Sequence, residues 1–345
     1  MKTKKTSVKD VASAAGVSVA TVSRAFNTPD KVRDEVLSKI MTTAKHLGYS
    51  PNAAAQAFRR QKSFTIGAVI PSLNYSIFAR LVESFQETMT AAGYNVLVLT
   101  TGFDNQSIHA PVKKLIDRGI DALMVVGQIF DSELRDYILL KQIPCVTTYS
   151  YTTDPDIPSI GFDNYDSARK VVEFLIKMGH KKLVMFAGPS QGNDRQLGRI
   201  RAFTETIAAT SGTVEGRVVE KGYSDASRQG AETMQYIRTH FPEATAVICN
   251  SDVFAFSIIA ECHKLRIDVP QDLSVTGFDN DVYTSLFTPA LTTLAVPASE
   301  VGSHAAKELL SALSAKRPII SSRFDTHLIV RDSTSKPRKN KHLTE

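Results

Sequence analysis

Short apolar runs alternate with amphipathic stretches over most of this chain, from Phe64 onward. The runs are FTIGAVI, YNVLVLT, IDALMVVG, IPCVTTY, KKLVMFAG, ATAVICN and LSVTGFD, with helical stretches such as IFARLVESFQETMTAAG and PVKKLIDRG between them. Strands that alternate with helices of about 10–15 residues form parallel sheets with helices on both faces, and such sheets bind ligands at the carboxyl ends of their strands. The turn-rich YTTDPDIPSIGFDN near residue 160 interrupts the alternation. We therefore predict two α/β halves.

The first residues of the chain follow a different pattern, that of two short helices. TSVKDVASAAGVS predicts a first helix, with Ser7 and Asp10 spaced as a capping box and Gly16 suited to the left-handed turn that ends a helix. GVSVATVSRAFN predicts a second helix, with Ser18 at its N-cap. Two short helices joined by a turn with glycine form a helix-turn-helix, whose second helix enters the major groove of DNA.

The outer face of the second helix is small and almost uncharged. Its side chains are Ala20, Thr21, Ser23, Arg24 and Asn27. Methyl and hydroxyl groups contact thymine methyls and phosphates, and a guanidinium reaches guanine or phosphate. Residues 1–62 carry 12 basic and 4 acidic side chains, while the chain as a whole has a net charge of +6. A cationic head of this kind indicates a polyanionic partner. A plain helical hairpin in another small domain is the alternative.

A third helix and a short basic segment complete the head. VRDEVLSKIMTTAKHLGYSP predicts a helix with a buried stripe of Val36, Leu37, Ile40, Met41, Ala44 and Leu47. PNAAAQAFRR is too short to form a stable helix alone, and we expect it to fold on contact with a partner. Phe58 beside Arg59 and Arg60 suits an apolar wedge in the minor groove of DNA. A simple linker is the alternative.

Several classes of protein receive no support from the sequence. No apolar run approaches the roughly 20 residues of a membrane span, and no hydrophobic segment follows the basic start. Three cysteines (Cys145, Cys249 and Cys262) lack metal-site spacing and suit the cytoplasm. We expect no metal, no cofactor and no membrane association.

One motif is typical of an enzyme. GPSQG, residues 188–192, satisfies the G-x-S-x-G pattern of hydrolases. A triad would combine Ser190 with Asp252 or Asp279 and with His304 or His327. Pro189 beside the serine and the polar NDRQLG, interpreted as delaying the next helix, argue against it. We predict that the protein is not an enzyme.

VKDVASAAGVSVATVSRAFN, followed by GYSPNAAAQAFRRQKSFTIGAVIP, resembles the lactose-repressor (LacI/GalR) family of bacterial transcription regulators. The resemblance implies a head at residues 1–62, with a hinge helix at about 52–59, and a body at residues 63–333. The body has two lobes like those of periplasmic binding proteins. The N-lobe spans about 63–161 and 294–323, and the C-lobe about 162–293 and 324–333. We expect residues 334–345 to form a basic, disordered tail.

The function implied by the resemblance is that of a cytoplasmic, homodimeric repressor. It binds a pseudo-palindromic operator in double-stranded DNA and responds to a small-molecule effector, a sugar, sugar acid or sugar phosphate, in the cleft between the lobes. Activation rather than repression, and recruitment rather than release by ligand, stay open. The rival class is a periplasmic sugar-binding protein, which lacks a DNA-reading head. The DNA-contacting residues implied are Ser18, Val19, Ala20, Thr21, Ser23, Arg24, Asn27, Asn52, Ala55, Phe58 and Arg59.

The resemblance also implies the residues around the effector. They are Tyr75, Phe78, Tyr149, Phe162, Arg199, Tyr223, Ser251 and Asp279, with Asn164 near Phe162. Without a ligand role, Arg199 would be an exposed helix charge, Phe162 a core ring and Asp279 a helix cap. Tyr149 stands where the lactose repressor has an aspartate, and Ser251 where an asparagine is frequent. Because one acid is lost while Arg199 is kept, we hypothesise that the effector is an anion.

Overall fold

A computed structural model describes residues 6–50, 62–222, 225–338 and Leu343. The chain divides into two compact units, Met1–Ser63 and Phe64–Glu345, and each is described by itself. We call them the head and the body. Among the described residues, no helix is both long and apolar enough to cross a membrane.

The described part of the head, residues 6–50, contains three α-helices and one short 3-10 turn. They are α1 (Val8–Ala15), α2 (Val19–Asn27), the 3-10 turn Pro29–Lys31 and α3 (Asp34–His46). The predicted capping box is confirmed, since the Ser7 amide donates to Asp10 Oδ2 at 2.8 Å and Ser7 Oγ accepts from the Asp10 amide. Gly16 ends α1 at φ 68°. Ser18 Oγ accepts from the Thr21 amide at 3.1 Å and begins α2, as predicted.

The core of the head lies between the three helices. Its fully buried apolar residues are Val11, Ala12, Ala15, Val22, Ala25, Ile40 and Ala44. The predicted stripe on α3 is wrong at two positions, because Met41 and Leu47 are each 39% exposed. Ile40 and Ala44, four residues apart, point to the core, and a rotation of about 100° per residue turns Met41 away from it. Arg33 begins α3 without a side-chain cap.

The strands among the described residues of the body form two six-stranded sheets. The first has the order β11-β5-β4-β3-β1-β2 and the second the order β12-β10-β9-β8-β6-β7. All pairings are parallel except β10 with β12. The first sheet is formed by β1 (Thr65–Ile70), β2 (Asn95–Thr100), β3 (Ala122–Val126), β4 (Cys145–Thr148), β5 (Ser159–Gly161) and β11 (Ser322–Arg323). The second is formed by β6 (Lys182–Ala187), β7 (Glu215–Glu220), β8 (Ala246–Cys249), β9 (Ser274–Asp279), β10 (Thr292–Ala295) and β12 (His327–Ile329).

Helices follow the strands as the alternating pattern predicts. With the first sheet lie α4 (Ser76–Ala91), α5 (His109–Asp117), α6 (Ser132–Leu140) and α11 (Ala298–Ala315). With the second lie α7 (Asn164–Met178), α8 (Asp194–Ala208), α9 (Ala226–His240) and α10 (Asp252–Lys264), and a 3-10 turn spans Val282–Ser285. Central strands such as β3 are buried along their whole length, which explains their continuous apolar sequence. The predicted fold class is confirmed.

The chain crosses between the sheets three times. It leaves the N-lobe sheet after β5, returns after β10 and leaves again between β11 and β12. The return, predicted at about residue 294, follows the end of β10, in which Leu294 and Ala295 pair with β9. The N-lobe thus contains the first sheet and the C-lobe the second.

The described part of the tail packs on the C-lobe. The Ser335 amide donates to Ser274 Oγ at 3.0 Å, and the Ser335 carbonyl lies 2.9 Å from His180 Nε2. Arg338 lies 3.2 Å from the buried Asp272 carboxylate, and Leu343 is buried in the core of the lobe. The prediction of disorder is therefore wrong for residues 334–338, because the Ser335 backbone bonds to Ser274 of β9 and to His180.

Candidate functional site

The exposed face of α2 is the first candidate site. Val19 is 42% exposed, Ala20 and Arg24 are exposed, and Ser23 and Asn27 are half-buried. The Asn27 amide nitrogen donates to the Ser23 carbonyl at 2.7 Å, which fixes the end of the helix. This face therefore presents two small apolar side chains and one guanidinium on a well-capped helix.

Some polar groups of this face are already held within the helix. Ser18 Oγ and Thr21 Oγ1 lie 2.8 Å apart at the start of α2, and Thr21 is half-buried. Within residues 6–50, Arg24 forms no ion pair. The other residues of the implied DNA-contacting set, Asn52, Ala55, Phe58 and Arg59, lie outside the described residues.

The second candidate site is a cavity between the lobes of the body. It lies at the carboxyl ends of the parallel strands, where open α/β sheets bind ligands. The residues that line it are Tyr75, Ile77, Phe78, Phe103, Tyr149, Asn193, Arg195, Gln196, Arg199, Asn250, Ser251 and Asp279. Six of the eight implied effector residues are among them. Phe162 lies behind the cavity, with its ring 4.9 Å from that of Tyr149, and Tyr223 lies outside the described residues.

Arg199 is a buried cation held by other residues of the C-lobe, one of them the first residue of α7. Its side chain is on α8 and the residue is 3% exposed. Nε donates to Asn164 Oδ1 at 2.9 Å and Nη1 to the Asn250 carbonyl at 2.7 Å. The guanidinium lies 3.4 Å above the centre of the Phe278 ring. The alternative of an exposed helix charge is therefore wrong.

Tyr149 and Asp279 join the two lobes. The Tyr149 hydroxyl donates to Asp279 Oδ1 at 2.6 Å, and the Tyr149 ring packs between Phe78 and Phe162. Burial raises the pKa of Asp279 to about 6 and raises the pKa of Tyr149 well above its usual value. Both residues have positive φ, 69° and 119°, a strained conformation for side-chain-bearing residues that is concentrated at functional sites.

Asp252 and Ser251 have structural roles at the start of α10. Ser251 Oγ accepts from the Val253 amide as the N-cap. The Asp252 carboxylate accepts from the Asp281 amide and from Thr293 Oγ1, each at 2.6 Å. Burial, and next the nearby Asp279 charge, raise the pKa of Asp252 well above its usual value.

Three of the groups considered for a hydrolase triad, the side chains of Asp252, Asp279 and His304, are bonded to other residues. The Ser190 amide donates to Glu220, and His304 Nε2 lies 3.0 Å from Ser322 Oγ. The interpretation of NDRQLG as a delay before the next helix is wrong, because Asn193 is the N-cap of α8 and the helix begins at Asp194.

Sequence reasoning missed four polar residues that line the cavity. They are Asn193, Arg195, Gln196 and Asn250. Arg195 stands four residues before Arg199, which places both on one face of α8. Recognition of Asn193 as a helix cap would have revealed this spacing. Asn250 Nδ2 donates to Gln196 Oε1 at 2.9 Å, so the missed residues support one another.

Hydrogen bonds cross the cleft and hold the lobes together. Arg195 Nη1 donates to the Val126 carbonyl at 3.0 Å, and Arg80 Nη2 to the Asp279 carbonyl at 3.0 Å. Ser76 also bonds to Asp281. With the Tyr149–Asp279 bond, these contacts connect the two walls of the cleft. A ligand that enters the cavity must therefore replace some of them.

Comparisons with known proteins agree with this arrangement of head and body. A family model described as bacterial regulatory proteins, lacI family, matches residues 7–52, and one described as a periplasmic binding protein-like domain matches residues 172–334. The HTH-type transcriptional repressor CytR of Escherichia coli strain K12 is 30% identical over 330 residues, which cover 95% of this chain and 96% of CytR. The chain belongs to the LacI family of bacterial regulatory proteins. This LacI-family chain is a DNA-binding transcription regulator.

Other relatives extend the likeness of this LacI-family chain. The HTH-type transcriptional repressor PurR of Pectobacterium carotovorum is 30% identical and covers 93% of each chain. The fold matches a LacI-family regulator from Silicibacter pomeroyi, with TM-score 0.87, 20% identity, and coverage of 96% of this chain and 100% of that one. It also matches a lac repressor dimer bound to operator and an anti-inducer, with TM-score 0.82, 23% identity, and the same coverage. The predicted two-lobed, periplasmic-binding-protein-like body is thereby confirmed.

Replacement of Asp279 by Asn tests the buried carboxyl of this LacI-family protein. The pKa of Asp279 is about 6 in the folded protein and about 3.9 in an unfolded chain, so the folded state binds the proton more tightly. The contribution of this group to the free energy of unfolding is complete below pH 4 and is lost as the pH rises through 6. From pH 4 to 7 we expect the free energy of unfolding of the wild type to fall by about 2–3 kcal/mol relative to that of Asp279→Asn. Urea unfolding at each pH measures this difference. Parallel profiles of unfolding free energy against pH for the two proteins would contradict the prediction.

Proposed function

We propose that this LacI-family protein is a homodimeric repressor that binds a pseudo-palindromic operator and responds to a small-molecule effector between the lobes of its body. The observation that carries the proposal is the exposed face of α2 on a helix-turn-helix. Val19, Ala20 and Arg24 are exposed on that face, while the rest of the helix is anchored by Val22 and Ala25. Small side chains suit close approach to base edges in the major groove, and Arg24 suits guanine or phosphate.

The cleft supports the effector part of the proposal. It combines aromatic rings with buried polar groups, as small-molecule sites do. Since hydrogen bonds cross between the lobes there, a ligand that replaces the Tyr149–Asp279 bond favours one arrangement of the lobes over another. By the family resemblance, the hinge helix at about residues 52–59 transmits this change from the body to the head. Those residues lie outside the described residues. Operator DNA and effector must then alter each other's affinity by the same factor.

An exposed apolar patch supports the homodimer. Val282 is 67% exposed, Tyr283 56% and Leu286 72%, and all three lie in or beside one 3-10 turn of the C-lobe. Phe287 extends the patch, and its ring stacks on Phe256 at 4.4 Å. Apolar patches of this kind on a protein surface mark interfaces. The lac repressor of similar fold is described as a dimer bound to operator.

The proposal is tested by selection of DNA from a random pool with the full chain. We expect a sequence with two-fold symmetry, and scrambling one half-site should weaken binding by about 100-fold or more, because one of two recognition helices loses its base contacts. Gel shifts at fixed salt measure the affinity, and a reporter promoter that contains the site measures repression. Selection of no sequence, or equal affinity for one and two half-sites, would refute the proposal.

A further inference from the structure

Arg195 is a buried cation of the cleft whose donors are incompletely used. The residue is 3% exposed, and its side chain lines the cavity beside Arg199. Nη1 donates across the cleft to the Val126 carbonyl at 3.0 Å. Nη2 is buried and has no hydrogen-bond partner in the part of the chain that the structure describes. A buried donor left without a partner costs about 1–3 kcal/mol, and a charged one more, so such an atom at a cavity wall points to a ligand.

The neighbouring acid, Asp194, makes its hydrogen bonds to groups other than Arg195. Asp194 Oδ1 lies 3.7 Å from Arg195 Nη1, beyond hydrogen-bond distance. Its carboxylate instead accepts from the Gln128 amide and from the Ser150 hydroxyl. Asp194 therefore offsets part of the Arg195 charge without satisfying its donors.

The wall of the cavity near Arg195 carries two buried guanidinium groups. The charged residues among its described lining are Arg195, Arg199 and Asp279, two cations and one carboxylate. The first turn of α8 also faces the cavity, since Asn193 is its N-cap and Gln196 lies in that turn. The N-terminus of a 15-residue helix carries a partial positive charge that favours anions.

We infer that the effector carries an anionic group, a carboxylate or a phosphate, which binds Arg195 Nη2 beside Arg199 at the start of α8. This inference rests on the proposed effector function and adds the class of ligand and the residue that selects it. The anion accepts from Arg195, while the remainder of the ligand contacts the aromatic side of the cavity at Tyr75 and Phe78. Arg195 thus distinguishes an anionic sugar from its neutral counterpart.

Matched pairs of sugars test the inference on the full-length protein. Isothermal titration would compare glucose with glucose 6-phosphate and glucuronate, and ribose with ribose 5-phosphate. We expect at least one anionic sugar to bind about tenfold or more tightly than its neutral counterpart. Binding of the phosphates alone or of the carboxylate alone would support the inference and identify the anion. Binding of neutral sugars only, or of no anionic sugar, would overturn it.

Variants of two arginines on α8 complete the test. Arg195→Gln keeps a donor but removes the charge, and we expect it to weaken the anionic sugar by about 10- to 100-fold, while Arg195→Lys recovers part of the loss. Arg201→Gln is the control, since that side chain is 64% exposed on the same helix. Wild-type affinity in Arg195→Gln would overturn the inference. Gel shifts of the wild type with its operator test the proposed function separately. Anion binding without operator binding would refute the proposed function and leave the inference about the anion intact.

Discussion

Replacement of Val22 by Asp is expected to abolish operator binding while the body stays folded. Val22 is completely buried between the helices of the head. A buried carboxylate without a partner costs at least about 3–5 kcal/mol. The head, Met1–Ser63, has only about 3–9 kcal/mol of stability at usual values per residue. The head should therefore unfold, and the face of α2 that reads DNA would be lost with it.

Thr42→Asp is the matched control for Val22→Asp. Thr42 is exposed on α3, so the change in net charge is the same without burial of the carboxylate. We expect Thr42→Asp to bind the operator within about threefold of the wild type, since isolated surface changes have small effects. Gel shifts measure binding, and calorimetry follows the unfolding of the body. Protection of the operator by Val22→Asp at wild-type affinity would contradict the role of the head.

The features of the head that follow from local sequence were predictable. Ser7, Asp10, Gly16 and Ser18 act within one helical turn, so their spacing alone indicates where α1 and α2 begin and where α1 ends. Exposure of Met41 on α3 was not predictable in this way. It depends on which sector of α3 contacts α1 and α2, and periodicity defines a broad apolar face without its edges.

The cleft shows where sequence reasoning without tertiary contacts ends. The alternating pattern placed ligand-binding residues at the ends of parallel strands, and the family resemblance named Arg199 and Asp279. The hydrogen bond between Tyr149 and Asp279 joins two residues that are 130 positions apart and lie in different lobes. No local sequence pattern predicts such a pair, and none predicts that Arg195 Nη1 donates to the Val126 carbonyl. These contacts are determined by closure of the lobes.

Replacement of Arg199 by Met is expected to weaken effector binding by about 100-fold or more and to destabilise the body. The change removes hydrogen bonds to Asn164 and Asn250 and the stacking on Phe278. It also leaves the buried Asp279 without a cation whose charge lowers its pKa. Removal of a buried charged group that makes two hydrogen bonds costs about 3–5 kcal/mol. For a domain of this size the unfolding midpoint should fall by roughly 10 °C.

Arg201→Met separates the role of Arg199 from a general need for positive charge on α8. Arg201 lies two residues further along the helix. Its Nε is 3.7 Å from Glu205 Oε1, and both side chains are exposed to solvent. Exposed pairs contribute less than about 1 kcal/mol, so the unfolding midpoint should change by no more than about 3 °C. Calorimetry measures stability, and titration with the strongest-binding sugar measures affinity. Equal losses in the two variants would show that Arg199 acts only through net charge, since burial and bonding distinguish it from Arg201.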